Sequence, residues 1–293
     1  MEFHLFLPQM RLSLDDLVVR ARAAESAGLD GIALMDHLVP PMAEDKPMWE
    51  AMTTATWLAA RTERLSIGHL VLCDAFRHPA VLARQVVTLD HASGGRFELG
   101  LGSGSVPDEL EVFGLEAGTA GSRIERLGRT LELLEALWSG EPVSEEVAGA
   151  TGCGAGATQL PVPTRRIPVT IGGTGPRTMA LVARHADWWN LPVHQLDRIE
   201  ELRPAAGAAR VSVQVGVTFV PRGADRDAVV GLAEQRFGWM RNSMRLVGGG
   251  AEIAEQLAAL GERGVERVYG WFTDFAPPAT LEAFGAEVLP APA

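Results

Sequence analysis

Apolar residues recur along the chain in two alternating rhythms. Short apolar runs at 2–8 (EFHLFLP), 31–36 (GIALMD), 65–73 (LSIGHLVLC), 97–103 (FELGLGS), 168–173 (PVTIGG), 188–192 (WWNLP), 211–220 (VSVQVGVTFV) and 265–272 (VERVYGWF) predict strands. Between them the period lengthens to that of a helix. In SLDDLVVRARAAESAGLDG, Ser13 caps a helix with Asp16 three residues on, Leu14, Leu17, Val18 and Ala21 form one stripe, and Gly28 ends it. In HPAVLARQVVTLDHASGG, Pro79 suits the first helical position, Leu82, Val86 and Leu89 share a face, and Gly94 closes the end. A third helix is expected to begin at Ser122 with Glu125 as capping-box partner, to run through Ile124, Leu127, Leu131, Leu134 and Trp138, and to stop at Gly140.

Eight strands alternating with helices over 293 residues predict one α/β domain spanning 1–293, a (β/α)8 TIM barrel, with a doubly wound open sheet as the rival. The stretch 140–168 is too long for an ordinary connection, so it is expected to be either a partly mobile insertion or a lid over the barrel mouth. GGGA at 248–251 reads as a break between two helices, and the terminal LPAPA as a frayed end.

Charge narrows the range of partners. Lys plus Arg total 26 against 37 for Asp plus Glu, a net charge of -11, and the resulting field repels nucleic acid and anionic membrane. No apolar window reaches the roughly 20 residues a membrane helix needs, and no basic segment precedes an apolar start, so a cytoplasmic protein is expected. Cys73 and Cys153 have no CxxC spacing, which argues against a zinc site or a disulfide framework. Lys46 is the only lysine and lies beside Glu44 and Asp45, not in the apolar or cationic setting that Schiff-base chemistry needs. No HExxH or GxSxG pattern is present, so metal-assisted hydrolysis and serine nucleophiles have no candidate residues.

Polar residues at predicted strand ends are the candidates for chemistry, because barrel active sites lie at the C-terminal ends of the strands. VTIGG followed by PRTMALVARHA places IGGTGP at a strand-to-helix turn. There Gly172, Gly173 and Gly175 let backbone amides approach a ligand, Thr174 offers a hydroxyl, and Pro176 starts a helix whose free N–H groups suit a phosphate. A tight turn alone would also explain these glycines. Asp36 and His37 end the second strand, His37 as an acid or base near neutral pH and Asp36 as an acceptor for a ligand N–H. Strand alternation would point only one of the two into the mouth. Asp74, Arg77 and His78 end the third strand, with His78 read as the start of a helix. Glycines 100, 102 and 104 strip one strand face and leave either room for a planar ring or a tightly packed neighbour. Trp49, Trp57, Trp188 and Trp189 are candidate walls, or else ordinary packing.

Taken in order, SAGLDGIALMDH, ARTERLSIGHLVL, RHPAVLARQVVTLDHASGGRFELGLGSG and IGGTGPRTMALVARHADWWN resemble the bacterial-luciferase-like flavin or deazaflavin oxidoreductases, above all in RHPAVLA with the following ASGGR and LGLG. The resemblance implies a luciferase-like TIM barrel with an insertion. It implies that Gly172, Gly173, Thr174, Gly175 and Pro176 bind a cofactor phosphate, and that Asp36 touches the ring while His37 assists proton movement. It further implies a cis peptide at Leu70–Val71 behind the ring, with Ser103 and Gly104 in the cofactor set. Where the family often has an acidic or aromatic residue after the LGLG strand, this chain has Ser105, with Asp108 and Glu109 nearby, and the residue completing the acid-base set stays open. The implied activity is hydride transfer between coenzyme F420 and a small organic substrate. Alternatives are an FMN-dependent monooxygenase and a barrel that carries flavin or deazaflavin without catalysis. The implied partners are a small-molecule substrate and a second copy in a homodimer, with no nucleic acid, membrane or metal.

Overall fold

The computed structural model describes residues 1–289 apart from Met42 and residues 241–244. The LPAPA end therefore lies, beyond Leu289, outside the described residues. The strands are β1 (Glu2–Phe6), β2 (Gly31–Leu34), β3 (Ser66–His69), β4 (Leu72–Cys73), β5 (Leu99–Gly102), β6 (Val169–Gly172), β7 (Trp188–Asn190), β8 (Arg210–Phe219), β9 (Arg245–Gly248) and β10 (Arg267–Phe272). Their order in the sheet is β3-β2-β1-β10-β8-β7-β6-β5-β4, and every ladder between them is parallel. Because β3 and β4 are two halves of one strand, interrupted at the cis peptide Leu70–Val71, the pairing of β4 with β5 closes the ring. The fold is the expected TIM barrel, not an open sheet.

The first two predicted helices form as read. Ser13 and Asp16 make a reciprocal capping box, and Pro79–Ser93 ends at Gly94 in the left-handed region (φ 68°), a conformation that favours glycine. His78 is the N-cap of that helix, its ring accepting the Ala80 N–H at 3.2 Å. The third helix starts earlier than predicted. Thr119, not Ser122, is its N-cap, and Ser122 supplies the return bond to the Thr119 backbone.

The expected cis peptide at Leu70–Val71 is present, and it breaks the 65–73 run into β3 and β4. One expectation is corrected and one alternative is decided. GGGA does not separate two helices: it joins β9, a strand absent from the sequence reading, to the helix Gly250–Glu262. The insertion is no lid. It packs outside the barrel, where Thr164 N–H and Oγ1 bond to Asp90 Oδ2 at 2.6 and 2.7 Å, Gln159 donates to the Ala83 carbonyl at 3.2 Å, and Val143 is buried in the main core. Asp90 closes the far end of the Pro79–Ser93 helix, so these bonds hold the insertion away from the mouth.

Two layers make the molecule. The main core lies between sheet and helices, with Leu17, Leu58, Val86, Leu134 and Phe284 fully or almost fully buried. The N-terminal end of the barrel is plugged by charge: Arg267 reaches Glu2 at 2.7 Å and Glu98 at 2.5 Å, and the guanidinium groups of Arg210 and Arg267 lie over the Trp188 ring at 3.7 and 3.8 Å. That leaves the C-terminal end for ligands. Among the described residues no helix is long and apolar enough to cross a membrane.

Candidate active site

A cavity of about 300 Å3 opens at the C-terminal mouth and brings most of the predicted site residues together. Asp36, His37, Leu70, Val71, Ser103 and Gly104 line it, and Gly172 and Gly173 close its far side. Thr174, Gly175 and Pro176 continue from that edge to the start of the Pro176–His185 helix rather than lining the cavity itself. Both Asp36 and His37 reach it because β2 stops at Leu34, two residues short of the predicted end, so strand alternation no longer separates them.

Asp36 is clamped rather than free. Its Oδ2 accepts from Arg77 Nη1 at 2.6 Å and from the Cys73 N–H at 2.8 Å, while Oδ1 accepts from Arg77 Nη2 at 3.0 Å. Arg77 also bonds to Glu50, the N-cap of the helix Ala51–Ala59. Burial alone would raise the Glu50 carboxyl, but the Thr53 and Met52 N–H groups and Arg77 outweigh it and hold it at about 2. Cys73, also on the cavity wall, is no nucleophile, since burial pushes its thiol up to about 11.

His37 is oriented by a residue that sequence reasoning left open. Its Nδ1 lies 2.9 Å from Glu109 Oε2, and Glu109 Oε1 accepts the N–H groups of Leu38 at 2.6 Å and Val39 at 3.0 Å. Glu109, on the short helix Pro107–Val112, thus grips both the histidine and the backbone that follows it. With Nδ1–H donating to this carboxylate, Nε2 is the nitrogen left to exchange a proton with a ligand.

The IGGTGP turn has the construction a phosphate needs. Gly173 sits at φ 118°, which few side chains tolerate, and its carbonyl accepts from Trp189 Nε1 at 2.8 Å. No side chain caps the Pro176–His185 helix, whose N-cap is Gly175, and a Cβ added at Gly175 would meet only Thr178 Oγ1 at 4.0 Å. The amide donors of the first helical turn therefore have no side-chain cap, whereas the Gly173 N–H donates to the Asn190 carbonyl at 3.3 Å. The GGGA turn is built differently, because Glu252 Oε2 already accepts the Gly249 N–H at 2.8 Å and pairs with Arg226 at 2.7 Å.

Two readings that the sequence leaves open are decided. Glycines 100 and 102 do not make room for a ring: a Cβ at Gly100 would lie 1.9 Å from the His69 carbonyl oxygen, and one at Gly102 2.6 Å from Val71 Cγ2. They let β5 close onto the interrupted strand. Nor do the four predicted tryptophans wall the cavity, since Trp188 and Trp189 are buried in the barrel and Trp49 and Trp57 lie on its outside. Trp239 and Trp271 instead line a second chamber of about 630 Å3 at the mouth, sharing Met35 with the first.

Several known proteins are similar to this chain. The F420-dependent glucose-6-phosphate dehydrogenase of Microbacterium testaceum is 37% identical over 165 residues, 56% of this chain and 48% of the relative. That of Nakamurella multipartita is 35% identical over 178 residues, 59% and 50% of the two chains. This chain thus spans about half the length of these curated relatives. Among solved structures, an F420-dependent secondary alcohol dehydrogenase holding an F420-acetone adduct superposes with a TM-score of 0.78 at 18% identity, covering 98% of both chains. The EDTA monooxygenase of Chelativorans superposes at 0.80 with 17% identity, covering 99% of this chain and 92% of its own. At those identities the likeness is one of fold. The profile of the luciferase-like monooxygenases matches residues 1–230, a span that includes the Asp36–His37 pair and the whole Gly172–Pro176 turn, and the chain belongs to that family.

Proposed function

We propose that this chain transfers a hydride between coenzyme F420 and a small organic substrate. The observation that carries the reading is that the His37–Glu109 pair and the Gly172–Gly173 turn open on one cavity. The names of the curated relatives support F420 over FMN.

In this reading the turn Gly172, Gly173, Thr174, Gly175 and Pro176 holds the cofactor phosphate on the N–H groups of Thr174, Gly175 and the first helical turn, since Pro176 has no N–H and that of Gly173 donates to the Asn190 carbonyl. Leu70, Val71, Ser103 and Gly104 bound the ring, and Asp36, fixed by Arg77, offers it the remaining acceptor capacity of Oδ1. When bound, the deazaflavin would accept or donate the hydride. His37 Nε2 takes the hydroxyl proton as a substrate alcohol becomes a carbonyl, or returns it in the opposite direction, while Glu109 stabilises the protonated ring. Placing that charge close to a fixed carboxylate is how the geometry lowers the barrier to proton transfer.

The chain is further read as a cytoplasmic homodimer. An apolar groove of about 950 Å3 runs between the helices Ala51–Ala59 and Pro79–Ser93, with Trp57 and Val81 exposed in it. Its charged residues, Glu50, Arg61 and Arg84, are of both signs, so a two-fold copy can set arginine against glutamate.

Fluorescence titration of the purified protein with F420 and, separately, FMN tests the cofactor assignment. Saturable binding of F420 with oxygen-insensitive turnover is expected. Oxygen consumption on reduced FMN, without F420 binding, would replace it with the monooxygenase reading. Binding of either cofactor with no turnover of any alcohol or carbonyl would leave a carrier.

A further inference from the structure

Beside the Asp36–His37 cavity, the second chamber has a composition unlike the rest of the surface. Trp271, Phe237 and Trp239 form its walls, with Phe237 edge-on to Trp271 at 5.1 Å and Trp239 6.0 Å from it. Trp239 nevertheless remains 50% exposed, so the rings do not fill the space they enclose. On a chain of net charge -11, the charged residues lining it are Arg11 and Arg236, with no Asp, Glu or Lys among the described lining residues. Neither arginine makes an ion pair within 4 Å among the described residues, although the Arg11 charge reaches Asp45; Arg236 is held by the Thr273 carbonyl at 3.5 Å and lies 5.4 Å over the Phe275 ring.

The backbone marks the same place. Among the described residues, three non-glycine positions lie in the left-handed region, Arg11 (φ 63°), Phe275 (φ 65°) and Ala276 (φ 51°), and the first two line this chamber. Such conformations are costly for bulky side chains and persist where the surroundings impose them, ligand clamps included. Met35 ties the chamber to the cavity next door, since it forms a wall of both and packs with Leu70 and Trp271 in one cluster.

We propose that this chamber takes an aryl carboxylate bearing an alcohol or carbonyl group as substrate. The proposal rests on the hydride-transfer reading for its reaction, though not for its binding chemistry. Flat aromatic walls favour a planar ring, and an arginine fork matches a carboxylate in two parallel hydrogen bonds. A sugar phosphate fits poorly. Its hydroxyls need several partners once out of water, whereas Gln235 is the one uncharged amide or hydroxyl side chain among the described lining residues. The single lysine, Lys46, is paired with Asp45 outside the chamber.

The test is a titration of the purified protein, with and without saturating F420, against 4-(hydroxymethyl)benzoate, benzyl alcohol and glucose 6-phosphate, read by tryptophan fluorescence. The benzoate is expected to saturate, benzyl alcohol to bind at least tenfold more weakly, and glucose 6-phosphate to give no saturable change. Arg11→Gln and Arg236→Gln, both at exposed positions, should each raise the benzoate Kd about tenfold and leave benzyl alcohol unmoved. Tighter binding of glucose 6-phosphate than of the benzoate, no saturation by the benzoate in either condition, or a benzoate Kd indifferent to both substitutions would overturn the proposal. Benzoate binding in a protein that fails to bind F420 would remove the hydride-transfer reading and keep the pocket. F420 binding without benzoate binding would do the reverse.

Discussion

Arg77 and Asp36 face each other as a bidentate pair, Nη1 to Oδ2 at 2.6 Å and Nη2 to Oδ1 at 3.0 Å, with side chains 11% and 3% exposed. A pair this enclosed is expensive to break from one side, because the surviving charge has no water to turn to. Arg77→Met should therefore lower the unfolding free energy by about 3–5 kcal/mol, whereas Arg77→Met with Asp36→Asn should recover a large part of that loss. Chemical denaturation of the two variants and the parent, in one buffer, measures both.

The acid-base prediction concerns Glu109, whose carboxylate orients His37 from 72 residues away in sequence. Glu109→Gln keeps the size but removes the charge that would stabilise a protonated His37, so kcat should fall by about 10²–10³ while the F420 Kd changes less than twofold. His37→Ala should fall as far, and the double variant no further than the worse single, because the two act as one unit. Steady-state turnover and fluorescence titration separate the two effects. A matching loss of cofactor affinity would show that Glu109 shapes the pocket and takes no part in proton transfer.

At the Gly172–Pro176 turn, stability and cofactor affinity should move in opposite directions. Gly175 has φ −68° and ψ 146°, ordinary for any residue and typical of a helix N-cap, and open space where a Cβ would go. Gly175→Asp can therefore cap the helix and stabilise the fold by about a few tenths of a kcal/mol. The same carboxylate would occupy the amides assigned to the phosphate, and the F420 Kd should rise at least tenfold, about 1.4 kcal/mol. Thermal unfolding and F420 titration on one preparation test the pair. Unchanged affinity would place the phosphate elsewhere.

What the sequence made legible was local. The Ser13–Asp16 box, the Pro79 start and Gly94 stop, and the turn at Gly172–Pro176 all lie within a few residues of their partners, and all form as read. Contacts across the chain were hidden. Glu109 reaches His37, and Thr164 reaches Asp90 across 74 residues, through folding that no spacing rule encodes. The strand β9 escaped notice because RLVG offers two large apolar side chains, Leu246 and Val247, too few to show a period. Glycines 100 and 102 were ambiguous for another reason: a missing Cβ makes space, and only the neighbouring strand decides who fills it. The mouth aromatics were overlooked since Phe237 and Trp239 lie on a weakly patterned stretch, while the tandem Trp188–Trp189 drew attention and turned out to be core.

Acid should destabilise the protein in two separable stages. His69 is buried against Phe97, ring centroids 5.9 Å apart, and burial pushes its pKa from 6.5 down to about 4. A histidine depressed in this way prefers to be neutral when folded, so its contribution is full above the unfolded value near 6.5. It is lost as pH falls from there through about 4, a loss on the order of 3 kcal/mol. Glu50 and Glu2 act lower. Burial opposes their charge, yet the Thr53 and Met52 amides and Arg77 for Glu50, and His4 and Arg267 for Glu2, hold both at about 2. Carboxylates depressed in the folded state stabilise it above their unfolded value of 4.5, and that support drains as pH falls from 4.5 toward 2. His69→Phe, which replaces one planar ring by another beside Phe97, should make the decline between pH 6.5 and 4 shallower, leaving the share of His4, whose pKa burial also lowers, and the lower stage intact. Glu50→Gln should make the lower stage shallower, leaving the share of Glu2. Denaturant midpoints at half-unit pH intervals would reveal this, and a His69→Phe profile that declines through the upper window as steeply as the parent's would assign that stage to other groups.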